Sequence, residues 1–236
     1  MLTAVVDEVI KGPEADARFG KHLTVVPTVQ ASRAGRYQTQ AVIVTTAARR
    51  IIDLSKGGDK LANILVRGTI EPTLHPDFRQ ISENLRELCH KWYPRASLNL
   101  ITVNPNFDSP DSRAALHAYH KVWVRLEAGT QKTFTAMTGQ PGKNFKDLVD
   151  VLSGVETNLI MDANFVRGDV DNSTDSEVKA WVKYVSAVKP TQLLISSRAL
   201  ADTDKKTKPV TKTRLTEIFE LASEKLEGTA VELVDN

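Results

Sequence analysis

A single cysteine, Cys89, stands in the 236 residues of this chain. It can therefore form no internal disulfide, and the chain offers no set of thiolates of the kind that holds zinc or an iron–sulfur cluster. Excess charge of one sign is also missing: 31 Lys and Arg against 29 Asp and Glu leave a formal +2, too little to indicate nucleic acid as a partner. Lysines crowd only at Lys205, Lys206 and Lys208, a run that reads as a solvated loop before it reads as a phosphate patch. Nowhere do about 18 apolar residues run together, so no membrane-spanning helix is expected. Met1 to Glu8 lacks the basic start and apolar run of a signal peptide, and a cytoplasmic location is expected. There is no internal repeat and no low-complexity tract.

What is present alternates. Strand-like segments at His22–Pro27, Ala62–Val66, Leu98–Val103, Val122–Leu126, Asn158–Val166 and Leu193–Ile195 are separated by helix-like ones, the pattern of βα units around a parallel sheet. Val44, Ala47, Ala48, Ile51 and Ile52 recur at helical spacing, although the β-branched run Val42-Ile43-Val44-Thr45-Thr46 leaves the start of that helix ambiguous. Phe78, Ile81, Leu85, Leu88 and Cys89 share one stripe of a helix from Asp77 to His90, which makes Cys89 core filler and not a reactive thiol. Ser109-Pro110 opens the next helix with a cap and a proline at its first position. Phe145, Leu148, Val149 and Leu152 mark another, Thr174 to Glu177 is a capping box before a fifth, and a last helix carries Leu215, Ile218, Phe219, Ala222 and Leu226. Ala230–Leu233 can add an edge strand. The expected fold is α/β, a partial parallel barrel of about six strands in a single domain over residues 1–236, with ligands gathering beyond the carboxyl ends of the strands.

The run Arg67-Gly68-Thr69-Ile70-Glu71-Pro72-Thr73-Leu74-His75-Pro76-Asp77-Phe78 resembles a signature of radical S-adenosylmethionine (SAM) enzymes. Three further segments, in the right order, are similar to the same family: Gly12 to Leu23, Val122-Trp123-Val124-Arg125-Leu126-Glu127-Ala128-Gly129-Thr130 to Phe134, and Phe165 through Asn172-Ser173 to Ser197-Arg198. The resemblance implies a radical SAM-like partial (β/α)6 barrel. The chain also departs from the family's pattern. Its cysteine-rich loop is expected to be deleted near residues 29–36, where this sequence is short and polar. Ile70 stands where the family has a glycine in the turn that cradles the SAM amino group. Glu127 replaces an aspartate, and Val103 often an asparagine. Without three cysteines no electron donor is held at the sulfonium, so the resemblance implies a cluster-less chain. No iron–sulfur cluster, no other cofactor and no metal are expected, and SAM binding is expected to be weak or absent.

On the barrel reading Gly68, Glu71, Glu127, Asp162 and Arg198 converge at the carboxyl-end mouth of the strands. Two readings stay open. The carboxylates and Arg198 can form a small-molecule site, or an ion-pair network that stabilises the mouth. His75, between prolines, is a weaker candidate as a base or ligand and equally a turn residue before the following helix. His117 and His120 lack a third ligand at motif spacing. Gly139-Gln140-Pro141-Gly142-Lys143 lacks phosphate-loop spacing and reads as a turn, and Trp92-Tyr93-Pro94 as an anchor between elements. The function expected is that of a cluster-less pseudoenzyme that binds a small molecule or a protein partner. The alternatives are an enzyme using the same mouth for acid–base or metal-assisted chemistry, and a structural subunit of a homo- or hetero-oligomer.

Overall fold

The structure is a computed structural model describing residues 9–30, 37–103, 107, 109–155, 157–200 and 205–234. It contains two compact units, Met1–Trp123 and Val124–Asn236.

In the first unit β1 (Ile10–Asp16) pairs antiparallel with β2 (Gly20–Val25), an addition that the sequence pattern did not signal. β2 pairs in parallel with β3 (Asn63–Val66), and β3 with β4 (Ser97–Thr102). β5 (Lys121–Arg125) follows in the order β1-β2-β3-β4-β5 and carries the chain into the second unit. The centres of β2, β3 and β4 are buried, with Leu23 and Val25, Ile64 to Val66, and Leu98 and Leu100 fully enclosed, as expected where both faces are covered. Helix α1 (Gln40–Lys56) settles the ambiguous β-branched run as helix. Thr39 caps it by accepting the Val42 N–H, and Ile43, Ala47, Ile51 and Leu54 form its buried face. Of the stripe at Val44, Ala47, Ala48, Ile51 and Ile52, Ala47 and Ile51 are buried and the other three are half-buried beside them. Helix α2 (Phe78–Trp92) buries Phe78, Ile81, Leu85 and Cys89 and stops at Tyr93, before Pro94. Ser109 caps the five-residue α3 (Pro110–Ala114) as expected.

In the second unit β6 (Leu159–Asn164) pairs in parallel with β8 (Gln192–Ser196), and β8 with β10 (Ala230–Leu233). The segment read as one strand to Val166 breaks at Phe165, and β7 (Val166–Gly168) pairs antiparallel with β9 (Thr207–Pro209) in a separate ribbon. Helices α4 (Gln131–Thr138), α5 (Lys143–Ser153), α6 (Asp175–Val188) and α7 (Lys212–Lys225) complete the unit. The α4 C-cap is Gly139 at φ +71°, so the Gly139–Lys143 stretch is a helix-to-helix turn. Val178, Trp181, Val182 and Val185 of α6 are buried as their spacing predicts. The architecture is α/β with a mostly parallel sheet and flanking helices.

Candidate functional site

The signature residues of the first unit are held by their own neighbours. Gly68 sits in a turn folded onto Thr28, whose hydroxyl donates to the Ile70 carbonyl at 2.7 Å. A Cβ at Gly68 would lie 2.9 Å from that carbonyl oxygen and 3.1 Å from Thr28 Oγ1. Ile70 has no positive φ, so its turn departs from the glycine geometry that the resemblance implied. Glu71 caps the turn Pro72–Leu74: Oε1 accepts from the Thr73 N–H and hydroxyl, and Oε2 accepts the Val103 N–H at 3.1 Å.

His75 is buried with both ring nitrogens occupied. Nε2 donates to the Gln38 carbonyl at 2.9 Å, which leaves Nδ1 to accept the Asp77 N–H at 3.0 Å just before α2. That arrangement is the turn role, and a ring committed on both sides has no lone pair for a base or a metal. His120 likewise accepts the Leu98 N–H, and His117 is exposed.

The second unit brings Glu127, Asp162 and Arg198 together around a cleft of about 700 Å³. Arg125 ends β5, Asn164 ends β6 and Ser196 ends β8, so the cleft opens at the carboxyl ends of strands, where α/β folds place ligands. Lys205 and the end of α4 complete the wall.

Glu127 is 6% exposed. Its Oε2 accepts the Asn164 N–H at 3.0 Å and lies 3.9 Å from Arg125 Nε. Burial pushes this carboxyl up to about 7; Arg125 and the Asn164 N–H pull it down, and the nearby Asp162 adds to the rise. On the ion-pair reading Arg198 would hold this place; the cation beside Glu127 is Arg125. Arg198 is exposed and, among the described residues, shares no ion pair with Glu127. Its backbone is fixed by Asn164, whose amide donates to the Arg198 carbonyl at 2.9 Å and accepts its N–H at 2.7 Å.

The loop that presents Glu127 is fastened to α6. Trp181 Nε1 donates to the Leu126 carbonyl at 2.8 Å, and Glu177 accepts the Gly129 N–H and the Thr130 hydroxyl. Glu177 thus binds a neighbouring loop instead of closing the expected capping box, although Thr174 does accept the Glu177 N–H. The approach is so close that a Cβ at Gly129 would lie 2.1 Å from the Glu177 carbonyl oxygen. Asn172, 1% exposed, donates to the Glu127 and Asn164 carbonyls and accepts the Val166 N–H. Arg125, Asn164 and Asn172 carry this site together with the predicted residues. All three lie in segments legible in the sequence, but the partners that each meets are set by tertiary contacts that spacing does not encode.

No family model matches the chain, and no curated protein matches it in sequence. Solved structures do match. SuiB of Streptococcus suis, determined bound to S-adenosylmethionine, covers 86% of this chain at a TM-score of 0.60 and 13% identity. TYW1 with a lysine–pyruvate adduct bound covers 92% at 0.62 and 11%. The radical S-adenosylmethionine methyltransferase TsrM of Kitasatospora setae, with cobalamin and an iron–sulfur cluster bound, covers 74% at 0.50 and 14%. This is the radical SAM fold. The chain spans 45% of SuiB, 78% of TYW1 and 36% of TsrM.

The radical SAM cluster does not fit the residues present. Cys89 is buried on α2 with its thiol directed at the Tyr93 and Ala96 carbonyls, at 3.8 and 3.5 Å, and burial pushes it up to about 11. Among the described residues no group of three or more His, Cys, Asp or Glu could hold a metal. The loop expected to be deleted falls largely on residues 31–36, outside the described residues. On either side of them Gln30 bridges Tyr37, and the Gln38 N–H donates to the Val29 carbonyl at 2.8 Å. Among the described residues no helix is long and apolar enough to cross a membrane.

Proposed function

We propose that this protein is a cluster-less member of the radical SAM fold that binds a small molecule in the second-unit cleft, without reductive SAM cleavage. The observation that carries the reading is Glu127: a carboxyl 6% exposed, pushed up to about 7, facing a cleft of about 700 Å³ that also presents Arg125 and Arg198. Perturbed carboxyls in clefts at strand ends are the common mark of a binding or catalytic site. The loop beneath Glu127 is held by Trp181, Glu177 and Asn172, so the site is organised before any ligand arrives. The single cysteine supports the exclusion of reductive chemistry, since one thiol cannot replace three cluster ligands.

A library of polar metabolites screened by ligand-observed NMR tests the reading. Hits should lose their signal with Arg198→Ala and with a Glu127→Ala variant whose folding has been checked. Hits that survive both substitutions would move the site elsewhere, and a library without hits would count against a small-molecule role.

A carboxyl near neutrality also suits general acid–base chemistry. The second reading is therefore an enzyme in which Glu127 transfers a proton to or from the bound molecule. Turnover of a hit, lost in Glu127→Gln while binding is kept, would establish it.

A further inference from the structure

We infer that the cleft takes an oxyanion-bearing small molecule, a carboxylate or phosphate, on Arg125 and Arg198, and that Glu127 takes up one proton as the anion binds. The inference rests on the proposed binding role and adds the ligand's chemistry and its control by pH.

Arg125 Nε stands 3.9 Å from Glu127 Oε2, beyond hydrogen-bonding distance, so this cation neutralises Glu127 through space while its planar fork of donors remains able to turn to a ligand. Arg198 leaves a backbone clamped twice by Asn164, at 2.7 and 2.9 Å, so its exposed side chain starts from a fixed point on the same cleft. Two guanidinium groups at one mouth suit a planar or tetrahedral oxyanion, which each can bind through paired N–H donors.

An anion held by Arg125 withdraws the charge that lowers Glu127 and places a like charge beside it. The charged groups that line the cleft with Glu127 decide how its carboxyl responds. From β5 there is Arg125, from β6 Asp162, from the segment after β8 Arg198, and from the segment before β9 Lys205. The α4 residues on the cleft, Ala136, Met137 and Thr138, and Gly139 beyond them carry no charge, and Glu177 of α6 is spent on Gly129 and Thr130. With Asp162 already adding to the rise in Glu127, a second nearby anion leaves the buried carboxylate uncompensated. Protonation relieves it, and the Asn164 N–H keeps an oxygen acceptor in either state.

The test is a chemical-shift titration of the full chain with sulfate and, separately, oxalate, at constant ionic strength from about pH 6 to about pH 8.5, where neither probe changes charge. Expected are shifts centred on Asn164 and Arg198 and an affinity that falls by up to about tenfold per pH unit above about pH 7. Glu127→Gln should hold the low-pH affinity across the range, and Arg198→Ala should weaken binding about tenfold or more at every pH. A response to oxalate alone would assign a carboxylate, and a response to sulfate alone a phosphate-like group. A wild-type affinity independent of pH, or a slope that persists in Glu127→Gln, overturns the proton linkage. Absence of shifts at the cleft with both anions overturns the ligand class. Neither failure touches the proposed binding role if uncharged metabolites still bind the cleft and lose binding with Glu127→Ala.

Discussion

The Glu127 carboxylate accepts the backbone N–H of Asn164 at 3.0 Å, and the side chain of the same Asn164 clamps the backbone of Arg198 from both sides. One residue at the end of β6 thus fixes the buried acid and the exposed base of the cleft. Its backbone holds the first and its amide the second.

Stability should respond to Glu127 in a defined pH window. Its folded carboxyl titrates near 7 against an ordinary 4.5, so the folded state holds the proton more tightly than the unfolded chain. Stability therefore declines as pH rises from about 4.5 through about 7, to a total of about 3 kcal/mol, and the deficit persists above that. Glu127→Gln, which keeps an acceptor for Asn164, should raise the urea midpoint at pH 8 by the equivalent of about 1–3 kcal/mol and leave it nearly unchanged at pH 5. A lower midpoint at pH 8 would mean that the charged pair with Arg125 is net stabilising.

Asn172 should be among the most sensitive positions of the second unit. It is 1% exposed and serves two carbonyls and one N–H. Asn172→Leu leaves these groups without partners in the interior and should cost about 2–4 kcal/mol in denaturant unfolding. A cost below about 1 kcal/mol would mean that the loop carrying Glu127 holds its position without the amide.

Cys89 should behave as buried core. Its thiol, pushed up to about 11, should resist Ellman's reagent in the native protein and react at once in denaturant. Anaerobic reconstitution with iron and sulfide should give no visible cluster absorption and the same background iron in wild type and Cys89→Ala. Stoichiometric iron with a cluster spectrum would overturn the cluster-less reading.

SAM should bind weakly or not at all by calorimetry, because Ile70, whose carbonyl oxygen Thr28 holds, stands where the resemblance implies a glycine in the cradling turn. Gly68→Ala puts a Cβ 2.9 Å from that oxygen and should cost about 1–2 kcal/mol of stability with no ligand present. Micromolar affinity for SAM would show that the turn rearranges on binding.

Local chemistry alone determined much of this protein. Thr174 and Ser109 cap helices where their sequence context placed them, Phe78, Ile81, Leu85 and Cys89 of the expected stripe are the buried face of α2 with Leu88 half-buried at its edge, and five of the six expected strands form while the sixth divides at Phe165. These features rest on periods of 2 and 3.6 and on caps that act within a few residues, so they are readable along the chain. Of Gly68, Glu71, Glu127, Asp162 and Arg198, which the resemblance and the strand-end rule group together, the last three line one cleft of the second unit. What tertiary structure decided is which partner each polar group meets. Residues 2 to 48 positions apart set those outcomes: Arg125 and not Arg198 beside Glu127, Glu177 drawn from its capping box to Gly129, Thr28 on Ile70, and His75 closed by Gln38 and Asp77. The physical reason is that burial raises the cost of an unpaired polar or charged group, so these groups take the partners that the packed chain brings near, and sequence spacing does not encode which those are.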